Sequence, residues 1–301
     1  MAPRDKSGPR PNLFIVGAPK CGTTAWVEYL RTHPDIFFPE IKEPHYFATD
    51  LPGMRWTDSL AKYESLFEHA GDRKIVGEGS VMYLYSEAAA QAIRDYNPHS
   101  KILIFLRAQE DFLPSLHHQY LYRFSEDIED FEKAWRLSGK RSAAEIPEKC
   151  RDPKMLDYAA IGRFNAQVER YAKLFPSDQI HVVQFAEWTA DARGTYLKIL
   201  NFLGVDDDGR TDFPPVNEAK SHSNKLLGRL VAHPPKFAEA IVRILRKITG
   251  RNALGLGARA AKAIAVPGYR TTIPPALREE IRSTYKDDNN KLKRALAKLE
   301  G

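Results

Sequence analysis

The stretch that decides the fold is Leu13-Phe14-Ile15-Val16-Gly17-Ala18-Pro19-Lys20-Cys21-Gly22-Thr23-Thr24, running into Ala25-Trp26-Val27-Glu28-Tyr29-Leu30. An apolar run from Leu13 to Val16 ends at a glycine, a short turn carrying one lysine follows, and an amphipathic helix pattern begins after Gly-Thr-Thr. Strand, turn and helix in this order make an anion site. Backbone N–H groups converge at the positive end of the helix dipole, and a lysine adds a full charge.

Gly17 and Gly22 have the spacing of a Walker A loop, G-x-x-x-x-G-K-[ST], but Thr23 stands where that loop has its lysine. The only lysine is Lys20, inside the turn. From there it reaches the 5′-phosphate of a nucleotide but is poorly placed to span a β,γ-diphosphate, so the loop reads as built for a single activated phosphate. The plainer reading is a strand-to-helix turn with an incidental lysine.

Outward from the loop, the pattern is strand alternating with helix: an apolar stretch at Ile36–Pro39, a buried strand at Lys74–Ser80, a helix over Ser86–Tyr96 with Ser86 as N-cap, and the central strand Lys101–Leu106. A helix over Phe112–Arg123, a short one at Phe131–Leu137, a helix over Phe164–Phe175, a strand at Gln179–Phe185, a helix Thr195–Leu203 closed by Gly204, and a last helix Ala276–Leu299 complete it. Near-continuous apolar strands between helices predict an α/β three-layer fold with a central parallel sheet flanked by helices. One domain over 1–301 is expected, with a flexible, Pro-rich 1–11 and with 138–154 and 220–262 as mobile or acceptor-side segments.

Composition excludes several classes. At 43% hydrophobic and 28% charged the chain reads as an ordinary soluble protein, and no run approaches the roughly 18 apolar residues of a membrane span. Two cysteines, Cys21 and Cys150, are too few for a disulfide framework, so a reducing cytoplasm is the expected location. Cys21 sits where a helix N-terminus and Lys20 favour a thiolate, so a reactive thiol is conceivable beside the plainer role of a small loop-filling residue. No set of residues has metal-ligand spacing, and none is expected; His117 and His118, adjacent on a helix, diverge by about 100°. The net charge of +6 is uneven. Between Lys220 and Arg270 eleven basic residues face Glu239 alone, a local +10 that suits an anionic partner. Only Phe237 and Tyr269 interleave there, which argues against nucleic acid.

Lys20-Cys21-Gly22-Thr23-Thr24 after Pro19 resembles the 5′-phosphosulfate loop of sulfotransferases that use 3′-phosphoadenosine 5′-phosphosulfate (PAPS), which reads Pro-Lys-x-Gly-Thr-Thr. Arg107 after the apolar strand, with Ser115 eight residues on, resembles that family's 3′-phosphate pair; alone, a strand-end arginine often just pairs with a carboxylate. Tyr158 to Phe164 and Phe175 to Ile180 resemble later family segments, with Phe164 in place of a tyrosine. Gly268-Tyr269-Arg270 resembles the loop that closes on the nucleotide, with Pro267 where lysine is common. The resemblance spans about residues 12–299.

It implies a P-loop-NTPase-like α/β fold, with PAPS as sulfuryl donor and 3′-phosphoadenosine 5′-phosphate (PAP) as product, without a metal. Lys20, Cys21, Gly22, Thr23 and Thr24 would hold the 5′-phosphate, Arg107 and Ser115 the 3′-phosphate, and Tyr158, Gly268, Tyr269 and Arg270 further parts of the cofactor. Lys42-Glu43-Pro44-His45-Tyr46-Phe47 resembles the base segment of the glycan-modifying, heparan-sulfate-type branch. That assigns Glu43 as base, His45 as a supporting or acceptor-orienting residue, Lys20 as stabiliser of the leaving phosphate, and a sugar-like or other polar acceptor, small molecule or glycan. Glu78, followed by Gly79 where the branch has lysine, reads as structural. A solvated loop carboxylate at Glu43 and a packed histidine at His45 are the plain alternatives. A nucleotide or small-molecule kinase is the rival enzyme. It wants an acidic Mg²⁺ ligand after an apolar strand, where this chain has Arg107.

Overall fold

The computed structural model describes residues 9–216, 220–222, 265–267 and 272–300. Five parallel strands form one sheet in the order β2-β3-β1-β4-β5: β1 Leu13–Gly17, β2 Ile36–Phe37, β3 Ile75–Gly79, β4 Lys101–Leu106 and β5 Ile180–Gln184. β1, β3 and the last five residues of β4 are buried, which is why those strands read as unbroken apolar runs. Phe14 pairs with Glu78 on one side and Ile102 on the other, and Leu106 pairs with Gln184 at the far end. A short antiparallel pair, β6 Lys220–His222 with β7 Ala265–Pro267, stands apart from the sheet.

The described helices are α1 Thr23–Arg31, α2 Leu60–Glu64, α3 Ala89–Tyr96, α4 Gln109–Tyr122, α5 Phe131–Arg136, α6 Tyr158–Ile161, α7 Phe164–Ala172, α8 Phe185–Ala190, α9 Ala192–Leu203, α10 Pro275–Thr284 and α11 Lys286–Glu300. On one face of the sheet, Trp26 of α1 stacks on Phe105 of β4 at 5.7 Å and on Tyr196 of α9 at 6.5 Å. On the other, Phe14 meets Phe47 at 5.9 Å, and Phe47 meets Tyr63 of α2 at 5.2 Å. The three layers expected from the pattern are present.

Several boundaries differ from expectation, three of them with a visible cause. The helix expected at Phe112 begins at Gln109, because the extended Ala108 (φ −51°, ψ 130°) already accepts from the N–H groups of Asp111 and Phe112. Pro114 therefore lies in the second turn of α4. The helix expected at Ser86 begins at Ala89, although Ser86 Oγ still accepts the Ala89 N–H at 3.0 Å. The single last helix is two, broken at Tyr285, whose buried hydroxyl donates to the Tyr158 and Ala159 carbonyls at 3.2 and 3.0 Å. That hydroxyl fills the space a side chain at Gly162 would need.

Candidate active site

All five strands deliver residues to the carboxyl edge of the sheet, the edge where open α/β folds bind ligands. β1 leads into the loop Ala18–Gly22, β2 towards Glu43, β3 to Ser80, β4 to Arg107 and β5 to α8. The Ala18 N–H donates to the Phe105 carbonyl at 2.6 Å, tying the loop to β4. Gly22 caps α1 in a left-handed conformation (φ +88°) with no side-chain cap. The N–H groups of Thr23, Thr24 and Ala25 consequently have no acceptor within the helix, an arrangement suited to an anion. Only glycine fits at 22, since a Cβ there would lie 2.4 Å from the indole of Trp188.

Lys20 also has a left-handed backbone (φ +61°). Burial lowers its pKa, and the charges of Arg107 and Arg123 lower it further. Three cations gathered closely enough to depress one of them mark a place suited to an anion. An Arg107 Nη1–H donates to the Lys20 carbonyl at 3.4 Å, and its guanidinium lies 4.6 Å above the Phe185 ring. Ser115 is half-buried on α4. Cys21 is wholly buried, its thiol donating to the Pro19 carbonyl, and burial pushes it up to about 12. The thiol stays protonated, which removes the reactive-cysteine reading, and the loop gains only backbone from this residue.

Glu43 and His45 follow β2 with left-handed backbones, φ +63° and +50°. Such strain in non-glycine residues costs about 1–2 kcal/mol each and collects at functional sites. It is held by hydrogen bonds from Glu43 N–H to the Gly79 carbonyl at 3.1 Å and from His45 N–H to Ser80 Oγ at 2.9 Å. The Met82 N–H donates to His45 Nε2 at 3.4 Å, so the ring proton is on Nδ1, which donates to the Glu43 carbonyl at 2.8 Å. Burial pushes His45 down to about 4, keeping it neutral. His45 has no exposed surface, and both ring nitrogens are engaged inward, one of them on the Glu43 backbone, an arrangement that suits the supporting role.

Glu43 itself is half-buried and accepts from the Lys42 ammonium at 2.6 Å through Oε1. Burial raises its pKa, but Lys42, His45 and Arg123 outweigh it and leave the carboxyl below its ordinary value. It is an ionised carboxylate at neutral pH, competent to take a proton.

Two cations that the sequence did not single out border it. Arg123 caps the C-terminus of α4, and Arg151 donates to the Gly53 and Met54 carbonyls, both at 2.9 Å. Arg151 is lowered by burial and by Arg123 and raised by Glu43, which puts all three within electrostatic reach of one another. Tyr120, 3% exposed and one turn before Arg123, has a hydroxyl without a partner among the described residues. No local pattern marks these residues; tertiary folding brings them together.

The remaining expected residues lie elsewhere. Tyr158 is fully buried and donates to Glu126 Oε2 at 2.9 Å, inside a buried ion pair whose Arg141–Glu126 contact is 2.6 Å. Its hydroxyl is taken up there, because α6 packs it inward against an otherwise costly buried carboxylate. Within the stretch 138–154, expected to be mobile or acceptor-side, Arg141 makes this pair and Arg151 bonds the Gly53 and Met54 carbonyls. Glu78 is buried among aromatics, its Oε2 accepting from Tyr63. Gly268, Tyr269 and Arg270, and all of 220–262 except β6, lie outside the described residues. Among the described residues no three His, Cys, Asp or Glu side chains are grouped to hold a metal, and no helix is long and apolar enough to cross a membrane.

A family model described as "Sulfotransferase domain" matches residues 10–213. The solved structure of a sulfotransferase from Alicyclobacillus acidocaldarius is similar at 30% identity and a TM-score of 0.62, covering 82% of this chain and 98% of that one. Carbohydrate sulfotransferase 15 from Rattus norvegicus is 24% identical over 257 residues, 65% of this chain and 44% of that protein. Heparan sulfate glucosamine 3-O-sulfotransferase 6 from Homo sapiens is 25% identical over 259 residues, 79% of this chain and 68% of that protein. The chain thus spans less than half the length of the first of these curated relatives.

Proposed function

The chain belongs to the sulfotransferase family, and from that premise we propose that it transfers a sulfuryl group from PAPS to a hydroxyl, or an amine, of a carbohydrate acceptor. The observation that carries the reading is the arrangement at the carboxyl edge: an anion-binding loop with Lys20, Arg107 held against that loop, and an ionised Glu43 held in place by His45. PAPS, when bound, supplies a sulfuryl group already activated by its phosphate leaving group.

The residues present fit that group. The open N–H groups of Thr23, Thr24 and Ala25 and the Lys20 ammonium suit the 5′-phosphate, with Lys20 countering charge that grows on the leaving oxygen. Arg107 and Ser115 suit the 3′-phosphate, the group that separates PAPS from ATP. Glu43 takes the acceptor's proton. His45, neutral throughout the working range, holds Glu43 by its backbone carbonyl. A kinase reading is not favoured, since Thr23 occupies the position of the Walker lysine.

The names of two relatives, a carbohydrate sulfotransferase and a heparan sulfate glucosamine 3-O-sulfotransferase, support a sugar acceptor. Arg123 and Arg151 beside Glu43 favour one that carries negative charge of its own. Two unpaired thiols suit a reducing compartment, and we place the enzyme in the cytoplasm. The test is incubation with PAPS and a panel of neutral and uronate-containing oligosaccharides, read by mass spectrometry for addition of SO₃. The expected result is a sulfated uronate-containing product that is absent with Glu43→Gln. Sulfation undiminished by Glu43→Gln removes the assigned base, and sulfation confined to non-carbohydrate acceptors removes the assigned substrate.

A further inference from the structure

Neither Phe185 nor Trp188 carries a charge, yet α8 sets them against both halves of the anion site. The register explains how. Leu106 pairs with Gln184 as β4 and β5 end, so the next residues of the two strands, Arg107 and Phe185, emerge side by side. The guanidinium then rests 4.6 Å above the Phe185 ring. Three residues on, and so on the same helical face, Trp188 packs edge-to-face on Phe185 at 5.1 Å. Its Nε1–H donates to the Cys21 carbonyl at 3.3 Å, and its ring occupies the space a side chain at Gly22 would take. Behind it Trp26 meets the indole edge-to-face at 6.0 Å and stacks on Phe105 of the central strand, so the brace is anchored in the core.

We propose that Phe185 and Trp188 are positioning residues that set the two phosphate contacts before the nucleotide arrives: Phe185 by holding Arg107, and Trp188 by holding the Cys21–Gly22 peptide and with it the start of α1. The proposal rests on the reading of this site as a PAPS site. The ring under Arg107 limits the orientations the guanidinium loses when an anion binds. The indole bond fixes a peptide whose left-handed glycine otherwise has wide conformational freedom.

Because the two aromatics act on different phosphates, they separate experimentally. Isothermal titration of the full chain with PAP, and with AMP, which lacks the 3′-phosphate, is compared for wild type, Phe185→Leu, Phe185→Tyr and Trp188→Phe. Trp188→Phe keeps an aromatic ring but loses the donor and is expected to weaken PAP and AMP alike, about threefold to tenfold. Phe185→Leu is expected to weaken PAP by a similar factor, leave AMP within twofold, and be rescued by Phe185→Tyr, which retains the ring face. Melting temperatures measured alongside identify a purely structural role, which lowers stability without moving affinity. PAP affinity within twofold of wild type in either Phe185→Leu or Trp188→Phe overturns the brace, as does a Phe185→Leu loss equal for AMP and PAP. Failure of the wild type to bind PAP overturns the cofactor reading itself, a different outcome from failure of the variants.

Discussion

Replacing Glu78 by glutamine should make the protein more stable at alkaline pH and hardly change it in acid. Glu78 lies on β3 with no exposed surface, beside Tyr63 and Tyr83; one carboxyl oxygen accepts from Tyr63, and the other has no partner among the described residues. Burial pushes its pKa from the ordinary 4.5 up to about 7, against smaller opposing effects of Ser80, Tyr83 and Tyr63. A carboxyl whose folded-state pKa is raised binds its proton more tightly in the folded protein. Stability is therefore greatest below 4.5, falls as pH rises towards 7, and levels off above it. At about 1.4 kcal/mol for each tenfold change in proton affinity, the full effect is about 3 kcal/mol, of which about 2.5 kcal/mol accrues between pH 5 and 8. Glutamine keeps the acceptor for Tyr63 and never ionises. Urea denaturation of both proteins from pH 5 to 8 should show Glu78→Gln gaining on wild type by about 2–3 kcal/mol, or roughly 5 °C in melting temperature. A difference that stays constant over this range, or that shrinks as pH rises, refutes the assignment of Glu78 as a buried acid held neutral.

Three further outcomes follow from the site and its supports. Gly22→Ala should abolish measurable PAP binding in titration and cost about 2 kcal/mol or more of stability, since it strains a left-handed cap and drives a methyl into Trp188. His45→Ala should lower kcat far more than it raises the acceptor KM. The wild-type rate between pH 5 and 8 should show no imidazole titration, because burial has already moved His45 to about 4. The acid limb, set by Glu43, should fall below the usual carboxylate range. An inflection near 6.5 that His45→Ala removes would contradict the neutral, supporting role. Arg141→Ala should destabilise by about 3–5 kcal/mol in chemical denaturation, because it leaves Glu126 buried without its bidentate partner. A loss under 1 kcal/mol would show that the pair does not anchor the segment 138–154.

The parts of the site that were legible in the sequence are those encoded by contiguous residues. Leu13–Thr24 holds strand, turn and helix start within one short run, and the buried strand Lys101–Leu106 delivers Arg107 to the edge whatever packs around it. Position along a strand settles such residues. Elsewhere, distant contacts decide. Tyr158 matched a family segment, but the partner that takes its hydroxyl, Glu126, is 32 residues away. Arg123 and Arg151 come from a helix end and a polar stretch with no period of their own. The break at Tyr285 depends on a hydroxyl filling the space beside Gly162. His45 shows the same limit at closer range: the segment was readable, but its role turns on the Met82 N–H, 37 residues on, which occupies the ring nitrogen an acceptor would need.

The central claim is that this edge binds a nucleotide carrying a 3′-phosphate, and metal-free calorimetric titration with PAP, set against ATP with Mg²⁺, tests it most directly. The account predicts tight PAP binding, weakened at least tenfold by Arg107→Ala, with ATP·Mg²⁺ giving no comparable heat. Binding of ATP·Mg²⁺ with PAP ignored, or PAP binding indifferent to Arg107→Ala, would contradict it.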